Sequence, residues 1–474
     1  MGLRTAGGRS AGGASDHAFQ RGRRNGTRSR TAHGTWSDMD ETSTTENGAA
    51  AGRPARTLVV VGQGYVGLPI AMRAVEVGYR VIGLDVDTRR IERLKAGDSY
   101  VEDIGNERLG AALSTGHFLP TTSVADAAGF DIAVITVPTP LHESLPDLSF
   151  IETAAEQLAP LMTPGCTVIL ESTTYPGTTE ELMIPRLVTG SGLRAGIDFH
   201  VGYSPERIDP GNPVWTFEST PKVVAGVDPA SLAAVRDFYE TIVEHVVTVS
   251  SCRTAELTKL LENTFRHVNI ALVNELAMFA DELDIDIWEA VDAAATKPFG
   301  FMKFTPGPGV GGHCLPVDPS YLSWRVRQTL GKQFRFVELA NDVNDHMPDY
   351  VVWRLMMLLN KAGRALNGAR ILALGLSYKK NSGDARESPA VRVVELLRSH
   401  GADVQGIDPY ISEPPRAIAD LPLVEISDEV VAAADVVVLL TDHDAFDLKQ
   451  IAASARAVFD TRNRFAPGAN VERL

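Results

Sequence analysis

The residues best suited to chemistry in this sequence lie in a glycine- and proline-rich segment that contains a single thiol. Residues 306–318 read PGPGVGGHCLPVD, a composition that excludes a regular helix or an inner strand. Cys314 could attack an electrophile as a thiolate, and Asp318 follows it four residues later. The backbone N–H groups of Gly311 and its neighbour suit a phosphate or a developing oxyanion. From the loop alone, a glycine-rich turn around a buried structural cysteine is the more common arrangement.

The composition narrows the class of protein. The 474 residues, 44% hydrophobic and 22% charged, are typical of a globular chain of about three domains. A formal net charge of −15 argues against nonspecific binding to nucleic acid. Three cysteines without zinc-like spacing argue against a disulfide framework and a metal site, and for a reducing, cytoplasmic compartment. No apolar run is long enough to predict a membrane span.

Residues 1–54 differ in composition from the rest of the chain. They are rich in Gly, Ser, Thr, Ala and Arg and poor in large apolar residues, which predicts a disordered extension. An Arg- and Ser-rich start is also a feature of transit peptides, although the acidic residues between positions 38 and 46 weaken that interpretation. A start codon assigned too early is a further alternative.

The elements that would position the loop begin with a nucleotide-binding pattern. An apolar strand from Thr57 leads into GQGYVG at 62–67, a helix follows, and a second strand from Arg80 ends at Asp85. In a G-x-G-x-x-G turn, Gly62 allows the tight turn, Gly64 the approach of a pyrophosphate and Gly67 the close packing of helix on strand. An acidic residue at the end of the second strand would bind a ribose hydroxyl and repel a 2′-phosphate. The pattern predicts a Rossmann-like domain that binds NAD rather than NADP.

Polar residues follow the next predicted strands of this domain. Thr139 comes after the strand at 131–137, Thr173 after the strand at 167–171, and Glu206 with Arg207 after His200–Tyr203, which we expect to be the last strand. Ligands of open α/β sheets bind at the carboxyl ends of strands, so these side chains are expected near the cofactor. Ordinary turn chemistry for the threonines and an exposed ion pair for the other two residues are the alternatives.

A long helix and a second α/β unit follow. Residues 254–283 predict a helix that connects two domains and packs on a partner subunit, and its apolar residues form a stripe. The stripe consists of Leu257, Leu260, Leu261, Phe265, Val268, Leu272 and Leu276. Lys259, Asn263 and Arg266 share another face, for which a solvated polar surface is the more common explanation.

The second α/β unit starts with the strand at 370–375, and a strand from Val458 is expected to close its sheet. It has no G-x-G-x-x-G turn, so its ligand is not expected to be a second dinucleotide. Tyr378, Lys379 and Arg462 follow strands and could hold phosphates, although isolated basic residues are more often surface charges. The predicted fold class is α/β, with two Rossmann-like doubly wound domains joined by a long central helix. The predicted segments are the extension 1–54, an NAD-binding domain 55–250, a central helical domain 251–350 with the cysteine loop, and an α/β domain 351–474.

Together these motifs resemble the nucleotide-sugar dehydrogenases of the UDP-glucose/GDP-mannose dehydrogenase family, from about Arg56 to the end of the chain. The matching motifs are GQGYVGLP (62–69), VPTP (137–140), ESTTYPGTT (171–179), YSPERI (203–208), KLLENTFR (259–266), PGPGVGGHCLPVDP (306–319), YKKNSGDARESP (378–389) and FDTR (459–462). The resemblance implies oxidation of the C6 alcohol of a UDP-sugar to a carboxylate by two NAD⁺, for the synthesis of polysaccharide precursors.

The resemblance also implies residue roles. The implied catalytic residues are Cys314 as the nucleophile that forms a thiohemiacetal and then a thioester, Lys259, Asn263 and Asp318 around the reacting oxygen, and Glu206 and Thr173 in hydrolysis and water positioning. The implied cofactor residues are Gly62, Gly64, Tyr65, Val66, Gly67, Asp85, Arg90, Thr139 and Thr173, with Arg386 reaching the cofactor of a neighbouring subunit and thus implying a homodimer or a higher homo-oligomer. The implied substrate residues are Arg207, Ile208, Lys259, Asn263, Arg266, Gly311, Tyr378, Lys379 and Arg462.

The amino-acid sequences of the cysteine loop and of residues 296–302 resemble those of the UDP-N-acetylglucosamine 6-dehydrogenase branch. UDP-N-acetylmannosamine and UDP-glucose are the alternative substrates. In the mannosamine branch a basic residue is expected near Gly300, which phenylalanines flank here. Two remoter alternatives are a two-electron dehydrogenase, which would need no thiol, and a non-catalytic nucleotide-sugar-binding protein, which would have no need to keep Lys259, Asn263, Cys314 and Asp318.

Overall fold

A computed structural model describes residues 56–142, 145–209, 212, 214–312 and 315–474. The N-terminal extension and Cys314 lie outside these residues, so the predictions made for them are not tested by the structure.

A mostly parallel sheet forms the N-terminal half. Its strands and those of an adjacent two-stranded ribbon are β1 (Thr57–Val61), β2 (Arg80–Leu84), β3 (Phe118–Thr121), β4 (Ile132–Ile135), β5 (Leu141–His142), β6 (Leu145–Pro146), β7 (Thr167–Leu170), β8 (His200–Tyr203), β9 (Lys222–Gly226) and β10 (Val246–Thr248). The ribbon is formed by β5 and β6, and the sheet has the order β10-β9-β8-β7-β4-β1-β2-β3. Six neighbouring strands of the sheet, in the spatial order β8-β7-β4-β1-β2-β3, follow the doubly wound order of Rossmann folds. Apart from the exposed Leu119 of the edge strand β3, their apolar side chains are buried on both faces, as expected of parallel strands.

The prediction that β8 is the last strand was wrong. The chain returns as β9, which pairs antiparallel with β8, and β10 then pairs parallel with β9. These strands are short and lie at one edge of the sheet, so they carry a weak sequence signal. Helices cover both faces of the sheet. They are α1 (Gly67–Glu76), α2 (Thr88–Lys95), α3 (Asn106–Ser114), α4 (Ser149–Leu158), α5 (Ile184–Ser191) and α6 (Pro229–Ile242).

Two long helices connect the sheets. The helical elements of this region are α7 (Cys252–Glu282), α8 (Ile287–Ala295), α9 (Asp318–Leu330) and α10 (Arg335–Lys361). Ser251 caps α7 by accepting the Thr254 N–H. Helix α10 pairs with α7 and contains Pro348, which cannot donate a helical hydrogen bond to Asn344.

The apolar stripe predicted for α7 is mostly exposed within one chain. Leu261 is 63% exposed and Leu272 52% exposed, and of the seven residues Leu260 alone is buried. The buried face of the helix instead contains small and polar side chains, among them Glu256, Lys259 and Asn263. Helical periodicity identified a real stripe, but it did not reveal that the core is formed by the opposite, more polar face.

The C-terminal sheet is entirely parallel. Its strands are β11 (Arg370–Leu374), β12 (Asp403–Ile407), β13 (Val436–Leu439), β14 (Val458–Asp460) and β15 (Val471–Arg473), with helices α11 (Pro389–Ser399), α12 (Asp428–Ala433) and α13 (Leu448–Ser454). The order β12-β11-β13-β14-β15 is the flavodoxin-like doubly wound order. The strand from Val458 does not close the sheet, because β15 pairs with it at the edge.

The fold class is therefore α/β with two Rossmann-like doubly wound sheets joined by a long helix. In the N-terminal sheet the strand order reverses between β1 and β4, and in the C-terminal sheet it reverses between β11 and β13. Crevices at such switch points bind ligands in open α/β sheets. No helix in the described part of the chain has the length and apolar character needed to cross a bilayer.

Candidate active site

The glycines after β1 have the geometry of a dinucleotide-binding turn. Gly62 has φ +94°, a left-handed conformation that favours glycine. A Cβ at Gly67 would lie 1.8 Å from the Gly62 carbonyl oxygen, so only glycine lets helix α1 start this close to the strand. No atom lies within 4 Å of a Cβ built at Gly64, which leaves its backbone accessible to a ligand. The turn therefore fits the pyrophosphate of a dinucleotide in the way that the spacing predicted.

Asp85 lies at the end of β2, beside this turn. Its carboxylate is buried and accepts hydrogen bonds from the backbone N–H groups of Gln63 (2.8 Å) and Asp87 (2.9 Å). The Arg90 guanidinium approaches the same carboxylate at 3.5 Å. The arrangement ties the acid directly to the glycine turn, where it can accept a ribose hydroxyl, and it places the partly exposed Arg90 next to the same carboxylate.

Four of the predicted catalytic residues form two pairs between α7, α9 and the loop after β8. The Lys259 ammonium lies 3.0 Å from the Glu206 carboxylate, and the Asn263 amide donates to Asp318 at 2.5 Å. Glu206 also accepts the backbone N–H of Ile208. Lys259, Asn263 and Asp318 are each less than 10% exposed, so these polar groups are held together away from water. The solvated polar face considered for α7 does not occur at Lys259 and Asn263, whereas Arg266 on the next turn is exposed.

Burial of the Asp318 side chain raises its pKa to about 7, and the nearby negative charge of Glu206 acts in the same direction. The positive charge of Lys259 and the hydrogen bond from Asn263 oppose this rise. Asp318 can therefore exchange a proton near neutral pH, as a general base must.

The loops after β4 and β7 border this cluster. The Tyr321 hydroxyl of α9 donates to the Thr139 carbonyl at 2.7 Å, which joins the VPTP loop to the helix that starts at Asp318. Ser172, next to Thr173, donates its hydroxyl to the Val137 carbonyl at 2.8 Å. The structure thus holds Thr139 and Thr173 on neighbouring loops at the carboxyl edge of the sheet.

The first half of the cysteine loop packs on the C-terminal sheet. A Cβ at Gly307 would lie 2.8 Å from the Arg462 guanidinium, and Cβ atoms at Gly311 and Gly312 would both contact Tyr378 within 3.0 Å. The Asn274 side chain of α7 accepts the Gly307 N–H at 2.9 Å. Glycine is therefore required at Gly311, where a Cβ would also lie 2.6 Å from the Glu387 carbonyl oxygen, and at Gly312, whose φ is +90°.

The remaining substrate candidates differ in their partners. Lys379 reaches across from the C-terminal sheet and pairs with Asp209 at 2.9 Å, in the same loop as Ile208, which is half-buried. Arg207 points instead to Glu262 (2.8 Å) and to the Pro221 carbonyl (2.7 Å). Arg207 is thus engaged by the protein in this structure, so a role toward a ligand stays a prediction for it.

Arg386 lies close to the cofactor turn of its own chain. Its guanidinium binds Asp384 at 2.6 Å. Burial raises the pKa of Tyr65 in the GQGYVG turn, and the positive charge of Arg386 opposes this rise. The C-terminal half of a single chain therefore approaches its own glycine turn, and the implied contact of Arg386 with a neighbouring subunit stays a prediction.

Sequence reasoning missed three residues that hold the site together. Tyr321 and Asn274 bind the loops described above, and Glu256 binds the loop after β7. Glu256 and Asn274 could have been suspected from helical spacing, because both share the face of Lys259 and Asn263 on α7. Nothing in the local sequence marks Tyr321.

Three family models match successive parts of the chain. They describe the UDP-glucose/GDP-mannose dehydrogenase family's NAD binding domain at residues 56–243, its central domain at residues 253–346 and its UDP binding domain at residues 372–467.

Similar proteins have nucleotide-sugar dehydrogenase names. UDP-N-acetyl-D-mannosamine dehydrogenase of Pyrococcus horikoshii is 36% identical over 390 residues, covering 82% of this chain and 90% of that protein. NDP-N-acetyl-D-galactosaminuronic acid dehydrogenase of Ralstonia nicotianae is 35% identical over 421 residues, covering 87% and 96%. The solved structure of the P. horikoshii enzyme matches with a TM-score of 0.80 at 34% identity, covering 88% of this chain and 98% of that chain. The glycine turn, the polar cluster and these matches together show that the chain belongs to the UDP-glucose/GDP-mannose dehydrogenase family and is an NAD-dependent nucleotide-sugar dehydrogenase.

Proposed function

We propose that the protein oxidises the C6 hydroxyl of a UDP-N-acetylhexosamine to the carboxylate. The reaction removes four electrons and consumes one water, so each sugar yields two NADH. The observation that carries this proposal is the buried cluster in which Lys259 meets Glu206 and Asn263 meets Asp318, at the start of the helix that follows the cysteine loop. A two-electron dehydrogenase would need no thiol in addition to such a cluster.

The residues give each step a physical basis. NAD⁺, held by the glycine turn and Asp85, would supply the hydride acceptor for each of the two oxidations. The Lys259 ammonium stabilises the oxygen anion that develops at C6, and Asp318 accepts a proton through water. The Cys314 thiolate adds to the C6 aldehyde and holds it as a thiohemiacetal until it becomes a thioester. Thr173 and Glu206 orient the water that hydrolyses the thioester.

The identity of the sugar is the finer part of the proposal. The sequences of residues 296–302 and of the cysteine loop favour UDP-N-acetylglucosamine as the substrate. The names of similar proteins favour UDP-N-acetylmannosamine, and the Ralstonia protein adds a galactosaminuronate product. These names share an N-acetylated sugar linked to a nucleoside diphosphate, and the match to a UDP binding domain favours UDP. We therefore propose the UDP-N-acetylhexosamine class. We place UDP-N-acetylglucosamine first and UDP-N-acetylmannosamine second.

One assay tests both the reaction and the sugar. Purified protein is given NAD⁺ and a limiting amount of UDP-N-acetylglucosamine, UDP-N-acetylmannosamine, UDP-N-acetylgalactosamine or UDP-glucose, and NADH is counted at completion. The proposal expects two NADH for each sugar consumed and the highest kcat/KM for an N-acetylated sugar. One NADH per sugar would indicate the two-electron enzyme, and a preference for UDP-glucose would contradict the sugar class.

We propose a homodimer formed through the exposed stripe of α7. Large apolar side chains stand out from α7 and also from α10, where Phe336 and Leu339 are more than half exposed. An apolar surface of this kind on two adjacent helices suits a second copy of the chain. We also propose a cytoplasmic location, because the substrate and NAD⁺ are cytoplasmic metabolites and the cysteines suit a reducing compartment.

We propose domain roles that follow the boundaries drawn from the sequence. Residues 55–250 bind NAD⁺, residues 251–350 supply the subunit interface and the cysteine loop, and residues 351–474 bind the UDP group. The ranges of the three family models support this division.

A further inference from the structure

A buried carboxylate lies one helical turn before Lys259. Glu256 is fully buried on α7, and no role follows for it from the reaction proposed above. One of its oxygens accepts the Gly177 N–H at 2.6 Å, and the other accepts the N–H and the hydroxyl of Thr179, at 2.9 and 2.7 Å. All three donors belong to a single loop, which follows β7.

That loop is the one that contains Thr173. Gly177 has φ +107°, a conformation that favours glycine and directs its N–H toward α7. Residues 177 and 179 also lie at the start of a helical segment that continues into α5, so their N–H groups have no partner earlier in that helix. Glu256 supplies the missing acceptor from a different element, and a negative charge at a helix start is favourable.

On α7, Glu256 shares a face with the catalytic candidates. Lys259 and Asn263 follow it by three and seven residues, and all three side chains are buried. The helix keeps the anchor and the two reactive groups at constant separations, about 4.5 and 10.5 Å along its axis at 1.5 Å per residue. We propose that Glu256 is a positioning residue that sets the Thr173 loop against Lys259 and Asn263.

A carboxylate suits this role better than any neutral group. It presents two acceptor oxygens and no donor to a set of three donors. A glutamine of the same shape would turn an NH₂ group toward an N–H or a hydroxyl, and one hydrogen bond would be lost. Although burial raises the pKa of Glu256 to about 7, the three donors stabilise its charged form. Within the described ranges, the Glu256 carboxylate accepts hydrogen bonds only from backbone N–H groups and a threonine hydroxyl of the loop after β7, which supports a geometric rather than a proton-transfer role.

The first test is Glu256→Gln in the full-length protein, and its catalytic arm rests on the proposed function. We expect kcat to fall about 10- to 100-fold, because small misplacements of reactive groups have effects of this size. The KM values for NAD⁺ and the UDP-sugar should stay within about two-fold. Hydrogen exchange at the amides of residues 177–179 should become faster. A residue that only stabilised the fold would lower the melting temperature without this separation of kcat from KM.

Two further variants sharpen the result. Thr179→Val removes one donor at nearly constant shape, so it should lower kcat in the same direction. Because both residues act in one contact, the double variant should lose less than the sum of the two single losses, in units of free energy. Asp435→Asn is the control, because Asp435 is also a buried carboxylate and accepts the Arg370 N–H at 3.0 Å. Unlike Glu256 it also pairs with arginines, and it lies at the amino-terminal edge of the C-terminal sheet, away from the site. Asp435→Asn should change stability and leave kcat unchanged.

The inference is overturned if folded Glu256→Gln keeps kcat within two-fold of the wild type. It is also overturned if Asp435→Asn lowers kcat as much as Glu256→Gln does. If Glu256→Gln does not fold, Thr179→Val decides by the same criteria. If the wild type forms no NADH with any UDP-sugar, the proposed function fails separately. In that case the hydrogen-exchange rates decide. Unchanged exchange at the amides of residues 177–179 in Glu256→Gln would overturn the positioning role of Glu256.

Discussion

Asp318→Asn should inactivate the enzyme and stabilise the folded chain increasingly as the pH rises. The folded-state pKa of Asp318 is about 7, whereas an unfolded aspartate has a pKa of about 4. Between these values the folded chain holds a proton that the unfolded chain has released. The stability that this proton provides is fully present below pH 4 and is lost as the pH rises through 7. The asparagine variant has no such loss, and its carbonyl oxygen can still accept the hydrogen bond from Asn263.

The magnitude follows from the same two pKa values. At about 1.4 kcal/mol per pKa unit, the free energy of unfolding of the wild type falls by up to roughly 4 kcal/mol relative to that of the variant as the pH rises. Roughly 2–3 kcal/mol of this decrease falls between pH 5 and pH 8. The positive charge of Lys259 lowers the pKa of Asp318 and is already included in the value of about 7. We therefore expect the stability difference between the variant and the wild type to grow by roughly 2–3 kcal/mol between pH 5 and pH 8.

The assay is urea unfolding of both proteins at pH 5, 6, 7 and 8, together with kcat at each pH. Because the comparison is between two chains that differ at one position, contributions from other titrating acids, Glu256 among them, cancel. We expect kcat to fall by about 10²- to 10⁴-fold, as for the loss of a general base. A stability difference that stays constant within about 0.5 kcal/mol from pH 5 to pH 8 would refute the argument from burial.

Four shorter predictions follow from other parts of the chain. The kcat/KM with NAD⁺ should exceed that with NADP⁺, since Asp85 would repel a 2′-phosphate. Equal values in steady-state kinetics would contradict this role of Asp85. Cys314→Ser should bind both ligands yet lose nearly all NADH formation, while Cys166→Ser, a buried thiol whose pKa burial raises to about 11, should keep it. Leu261→Glu should shift the protein to monomer in sedimentation if the exposed stripe is the dimer interface. Deletion of residues 1–50 should leave activity and melting temperature nearly unchanged, and a large loss of either would show that the segment joins the fold.

The cofactor site could be predicted almost completely from the sequence. Its glycines, its acid and the two strands that carry them lie within 29 residues, so their arrangement depends on local geometry that each residue type restricts directly. Gly62 adopts the positive φ that its place in the motif requires. The long helix was predicted for the same reason, because its start and end are local signals and its period is regular.

The pairing within the catalytic cluster was decided only by the tertiary structure. Lys259 and Glu206 are 53 residues apart, and Asn263 and Asp318 are 55 apart. Periodicity placed Lys259 and Asn263 on one face but did not show whether that face meets water or other parts of the chain. Resemblance to a family named these residues together, whereas their hydrogen bonds and the raised pKa of Asp318 come from burial between α7, α9 and the loop after β8.

The same distinction explains the errors and the omissions. The apolar stripe of α7 was recognised, but a single chain buries the opposite face, because which face is covered depends on elements distant in sequence. The edge strands β9, β10 and β15 are short and take their pairing from neighbours. Glu256 resembles any helical glutamate until the loop after β7 folds onto it. The sequence by itself determined the local elements and the residue types of the site, and the tertiary structure decided which of them meet, because burial and pairing depend on contacts that no local pattern records.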